Sequence, residues 1–139
     1  MYIPRHFELY EMLPKDIYES TMYLGLSRWQ WFDERMLQTC DFLRNTFGKM
    51  IMNTWYWGGR HQYRGWRPLD CEYGADWSQH KFGRAGDSVF MDITAHEVRK
   101  YVLAHPQEFH HITCIEMGVA WFHFDVRNYN NGILQVYPK

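Results

Sequence analysis

Residues 119–126, VAWFHFDV, alternate so regularly that they constrain the fold more than any other segment. In an extended strand successive side chains point to opposite faces. Ala120, Phe122, Phe124 and Val126 then form an apolar face, and Trp121, His123 and Asp125 a polar one with an indole at its edge. The apolar face has to be buried, so the chain must supply neighbouring strands and a layer to pack on them.

The rest of the chain reads as that layer and those strands. Residues 27–47 place Phe32, Met36, Cys40, Leu43 and Phe47 three or four apart, which predicts a helix with Ser27 as N-cap and Gly48 as its stop. Residues 49–57, KMIMNTWYW, read as a strand entering a long loop from Gly58 to about Ser88. A loop of that length in a compact domain is functional or disordered, and its aromatic residues argue against disorder. Val89 to Ile93 reads as a short strand. Thr94 and Glu97 form a capping box for a helix through Ala104, which Pro106 ends. Strands are then expected at Ile112 to Glu116, Val119 to Val126 and Ile133 to Tyr137, joined by turns at Met117-Gly118 and Asn128 to Gly132. The expectation is one α+β domain over residues 1–139, with helices packed on a mainly antiparallel meander.

Composition narrows the function by exclusion. A formal charge of −1 with both signs scattered gives no electrostatic footprint for nucleic acid or an anionic membrane surface. The spacing of Cys40, Cys71 and Cys114 fits neither a metal knuckle nor a disulfide framework, which leaves buried free thiols in a reducing compartment. No stretch approaches the apolar length of a membrane span, and the first residues, MYIPRHFELYEMLP, lack the apolar core of a signal peptide. A product made in the cytoplasm that reaches its target after release, or as part of a virion, is the expectation.

Taken one at a time, the polar residues leave two readings open. His123 is a hydrogen-bonded strand histidine or a metal ligand, with Asp125 about 7 Å further along the same face by the strand rise. His80 and Asp87 flank Gly83 and Gly86 and make either a tight turn before a strand or part of a metal site. His61, inside the long loop, is a candidate for substrate contact.

Together these residues carry a resemblance. Ser78, His80, Gly83, Ala85 and Asp87 match every fixed position of the pattern S-x-H-x-x-G-x-A-x-D of the M15 zinc peptidases. Trp121, His123, Asp125 and Arg127 resemble the W-x-H-x-D-x-R strand of that family, and Gly65-Trp66-Arg67-Pro68 its G-Y-R-P turn. The likeness covers roughly residues 60–127. It implies the hedgehog/DD-peptidase fold and a zinc hydrolase of peptidoglycan stem peptides, either a carboxypeptidase or an endopeptidase of the phage endolysin kind.

Carried over residue by residue, the resemblance makes His80, Asp87 and His123 the zinc ligands. Two imidazoles and one carboxylate leave a fourth position open, as a catalytic zinc requires. Arg67 would steady developing oxyanion charge, while Ser78 and Trp121 would meet substrate or support a ligand.

One position departs from the family. Ala120 stands where many members place a catalytic carboxylate three residues before the last zinc histidine. Glu116, reaching across the Met117-Gly118 turn, and Asp125 are the replacements considered, and Asp125 can alternatively fix the tautomer of a ligand imidazole. Without a base the chain would be a zinc-binding module with a structural or binding role, for instance in a virion.

Overall fold

The computed structural model describes residues 1–138. In chain order the elements are α1 (Lys15–Ser20), α2 (Glu34–Phe47), β1 (Met50–Ile51), β2 (Ala85–Phe90), α3 (Ala95–Ala104), β3 (Cys114–Glu116), β4 (Phe122–Asp125) and β5 (Leu134–Val136). Short 3-10 turns punctuate them, among them Met22–Trp31, Trp55–Trp57 and Gln79–Phe82. The strands form one sheet in the order β1-β2-β4-β3-β5. The architecture is α+β, as expected.

The sheet is mixed, where a meander was expected. β5 runs parallel to β3 at the edge, while the β1-β2, β2-β4 and β3-β4 pairs are antiparallel. A meander would have set β5 against β4, but both edges of β4 are already taken by β2 and β3.

Phe122 and Phe124 are fully buried, and each phenyl removed from water contributes roughly 2–3 kcal/mol. They share a face of the sheet with Gly86, where an added Cβ would crowd Met36 of α2, Met52 and Phe124 at 3.2–3.3 Å. α2 turns Met36, Leu37, Cys40 and Leu43 toward that face, and α3 turns Ala95, Val98 and Val102. The N-terminal residues close the same core with Phe7, Leu9, Met12 and Leu13. Asp41, polar yet buried on α2, accepts hydrogen bonds from the Tyr2 hydroxyl and the Arg5 and His6 amides, so neither of its oxygens is buried without a partner.

Several boundaries differ from the sequence expectation. The helix starts at Asp33, whose carboxylate caps Arg35 N–H, and not at Ser27. Residues 22–31 form two tight turns broken at Gly25, with φ 56°, and Phe32 is extended, so no helix runs through them. Gly48 does stop α2. Residues 49–57 contribute only a two-residue strand before a 3-10 turn. β2 begins at Ala85, four residues earlier than expected, because it is held by its pairing to β4 more than by its own composition. β4 begins at Phe122, which leaves Ala120 exposed and outside the core. The α3 capping box forms as read. All three cysteines are free, with Cys40 and Cys114 buried and Cys71 half-buried. Among the described residues no helix is long and apolar enough to cross a membrane.

Candidate metal centre

Register builds the site. Asp87 on β2 lies directly opposite His123 on β4. The β3-β4 pairing matches Cys114 with Asp125 and Ile115 with Phe124, and one further step brings Glu116 alongside His123 from the other flank. Asp87, His123 and Glu116 thus form a row across three strands, on the face opposite Phe122 and Phe124. Side chains opposite one another on one face have Cβ atoms about 5 Å apart, which is contact range.

His80 joins from outside the sheet. Ser78 caps the Gln79–Phe82 turn by accepting the His80 backbone N–H at 3.3 Å, and Gly83 closes it with φ 67°. A side chain at Gly83 would collide with the Trp31 carbonyl, so glycine is needed there for space as well as for conformation. The Gly65-Trp66-Arg67 turn holds the imidazole from behind. The Gly65 carbonyl accepts His80 Nδ1–H at 2.7 Å, and the His80 carbonyl accepts the Arg67 backbone N–H. Gly65 is there because a Cβ would run into the Met12 carbonyl.

The bond to the Gly65 carbonyl decides the His80 tautomer. A carbonyl only accepts, so Nδ1 carries the proton and Nε2 the lone pair. Nε2 lies 3.2 Å from Asp87 Oδ2, yet at an angle that makes no hydrogen bond, and it is a buried nitrogen without a partner. Buried polar atoms are almost always satisfied, and an imidazole lone pair facing a carboxylate is a pair of donors suited to a cation.

His123 is oriented by the same logic. Nδ1 sits 2.7 Å from Asp87 Oδ1 and Nε2 2.9 Å from Asp125 Oδ2. Burial alone would lower its pKa, but hydrogen bonds to Asp125 and Asp87 and the charges of Asp87 and Glu116 push it up to about 10. Asp87 shows the converse: burial would raise its pKa, and the two imidazoles outweigh burial and hold its carboxyl far below the usual range. In the metal-free protein the positive charge these carboxylates favour is the proton on His123, which a metal ion bound there would replace. One ligand atom from each of His80, Asp87 and His123 falls within 4.8 Å of the others, so the three can hold a metal ion.

The supporting residues form a chain of their own. His123, Asp125 and Arg127 alternate onto one face, and Asp125 is fully buried with both oxygens engaged. Arg127 Nε and Nη2 reach Oδ1 and Oδ2 at 2.7 Å each, and His123 shares Oδ2. Burial would raise the Asp125 pKa, yet hydrogen bonds from Arg127 and His123 lower it to about 2. Considered from sequence as a catalytic carboxylate, Asp125 is placed behind the ring, where it fixes the imidazole.

Glu116 faces the open side. Its carboxylate is half-buried, 3.8 Å from His123 Nδ1, and lines a cleft of about 670 Å³ together with Ser78, His80, Asp87 and Trp121. Arg67 reaches Asp87 Oδ2 at 3.3 Å while donating to the Tyr63 and Tyr73 carbonyls. A guanidinium has five N–H groups, so these three bonds leave two uncommitted. Trp121 stands exposed at the cleft wall, just before β4.

The polar face of β4 is interior: His123 is 5% and Asp125 0% exposed. Sequence reasoning also passed over Arg99. It is buried on α3 and donates to the Trp121 and Val119 carbonyls at 2.8 Å, which pins the segment entering β4. The signal was an arginine inside the inward stripe Ala95, Val98, Arg99, Val102.

Comparisons of the chain with protein-family models, with curated proteins and with solved structures gave no match.

Proposed function

We propose that this chain is a zinc-dependent peptidase that hydrolyses a peptide bond in peptidoglycan stem peptides. The observation that carries the reading is the convergence of two oriented imidazoles and one carboxylate beside a cleft, with a second carboxylate, Glu116, on the open side. Two nitrogens and one oxygen are the donor set of catalytic zinc, with one position left for water or substrate. The orphaned Nε2 of His80 fits that ion. When bound, zinc supplies Lewis acidity, polarising an amide carbonyl and acidifying water. The peptidoglycan substrate rests on the M15 resemblance of the motifs that carry the ligands.

The chain's own residues supply the rest. Glu116 takes a proton from the attacking water and delivers it to the leaving amine as the C–N bond breaks. The two uncommitted N–H groups of Arg67 offer hydrogen bonds to charge developing on the carbonyl oxygen. Trp121 and Tyr73 form apolar walls along which an extended peptide can lie. Asp125, held by Arg127, keeps His123 Nε2 protonated and Nδ1 turned inward.

The test is digestion of purified peptidoglycan followed by mass spectrometry of the released fragments. Zinc-loaded protein is expected to generate new peptide termini, chelation to abolish them and added zinc to restore them. Intact peptidoglycan after incubation with the zinc-loaded chain would overturn the reading.

Asp125→Asn tests the supporting chain. Residues that orient metal-bound imidazoles contribute about 10–100-fold to affinity. Competition with a chromophoric chelator should show a loss of zinc affinity in that range while the folded state persists.

A further inference from the structure

The cleft continues past Asp87 into a second arm of about 530 Å³, lined by Arg60, His61, Tyr63, Arg64, Arg67 and Tyr73 among others. The two arms share Arg67, Tyr73, Asp87 and Trp121, so a ligand lying across the metal ligands enters both. Among the described residues Asp87 is the only carboxylate lining the second arm, and it is already held by two histidines and Arg67. Neither Arg60 nor Arg64 makes a salt bridge among the described residues.

Arg64 is fixed as well as charged. It is half-buried, its Nη1 donates to the Met52 carbonyl at 3.2 Å, its backbone N–H to Asn53 Oδ1 and its carbonyl accepts Asp87 N–H at 2.8 Å. One bond on Nη1 leaves most of the guanidinium fork available. The stacked rings of Tyr63 and Tyr73 form an apolar wall beside it. Burial, and then the charges of Arg64 and Arg60, hold the His61 imidazole below its ordinary pKa. An arm in which three arginines face one carboxylate that is itself already paired, walled by low-dielectric rings, concentrates its field on an anion.

Resting on the peptide substrate proposed above, we infer that this arm is a carboxylate subsite. Arg64, assisted by Arg60, receives a free carboxylate of the stem peptide while the scissile amide lies at His80, Asp87 and His123. Arginine suits the task because its planar fork matches both oxygens of a carboxylate. A stem peptide offers two such groups near a cleavable bond, the C-terminal carboxylate and the α-carboxylate of a γ-linked D-Glu, and both present the same chemistry to the arm.

Three synthetic peptides separate them: L-Ala-γ-D-Glu-L-Lys-D-Ala-D-Ala, its D-Glu α-carboxamide and its C-terminal carboxamide. Binding is measured by calorimetry on the full chain stripped of metal, where no turnover intervenes, and cleavage by mass spectrometry on the zinc-loaded chain. One amide is expected to bind about tenfold more weakly than the parent, and Arg64→Gln to bring the parent to the affinity of that amide while leaving the amide unchanged. Arg60→Gln, at an exposed residue, should cost about two- to threefold. The identity of the weaker amide names the carboxylate. Equal binding of all three peptides by wild type, or no binding of the parent, would overturn the subsite, and neither result depends on a variant folding. Discrimination without cleavage would sink the peptidase reading and leave the subsite standing. Cleavage without discrimination would do the reverse.

Discussion

His80→Ala is expected to lose its metal. Wild-type protein loaded with zinc and passed through a desalting column should retain about one ion per chain by atomic emission, and the variant close to none. Apparent binding free energies for small zinc sites are about 10–16 kcal/mol, so one of three protein ligands supplies roughly 3 kcal/mol or more, a loss on the order of 10²–10³-fold. Stability supplies a second readout. At zinc a thousandfold above the wild-type Kd the wild type gains about 4 kcal/mol, which raises Tm by roughly 10–15 °C, and the variant, binding on the order of 10²–10³-fold more weakly, should gain only about 1 kcal/mol or less. The substitution also leaves the Gly65 carbonyl without its donor and opens a small cavity, each of which destabilises the metal-free fold. These losses are present with and without zinc, so the zinc-dependent increment isolates the ligand role. A wild type with no retained zinc and no zinc-dependent Tm shift would show that His80, Asp87 and His123 are a hydrogen-bonded cluster only.

What could be read in advance follows the range of the interactions. β4 was legible because alternation is a local property of the chain: Phe122, Phe124 and Val126 are buried as read. The α3 capping box and the Gly48 stop are equally local, each fixed by residues within a few positions. His80, Asp87 and His123 were legible through motif spacing, and the structure brings them together. Glu116 was legible because it ends the strand before β4; the connection is five residues, Met117 to Trp121, where a two-residue turn was expected, yet still short enough to return the chain alongside β3.

The misreadings lie where a distant partner decides. Ala85 and Gly86 are poor strand formers and looked like a loop, yet their backbone pairs with Asp125 and Phe124, so Asp87 projects from a strand. The spacing of Phe32 with Met36 suggested a helix from Ser27. Asp33 wins the capping contest because its carboxylate reaches Arg35 N–H, while Gly25 breaks the preceding turns. β5 joined β3 in parallel because β4 had no free edge, a fact no local pattern contains. Asp125 illustrates the same limit in chemistry: its position two after His123 was visible, but its burial and its pair of hydrogen bonds from Arg127 were not, and these turn a candidate base into a support.

Glu116→Gln bears most directly on whether the cleft is catalytic. The amide keeps the size and hydrogen-bonding reach of the carboxylate but cannot take a proton. Glu116 is not one of the three grouped ligand residues and is half-exposed, so zinc binding and Tm should stay near the wild-type values. General base catalysis by a positioned side chain contributes about 10²–10⁴-fold, and turnover of stem peptides should fall by that factor with KM little changed. Asp125→Asn acts at a different step, since it weakens zinc affinity and its deficit in rate should be recovered by saturating zinc. The Glu116→Gln deficit should persist however much zinc is added. Undiminished cleavage by Glu116→Gln would remove this residue as the base and leave the site without one, because Ala120 is exposed, outside β4 and without an ionisable group, and Asp125 has both oxygens committed. Cleavage lost with zinc retained would place the proton transfer at the end of β3, one strand away from where many M15 peptidases carry it.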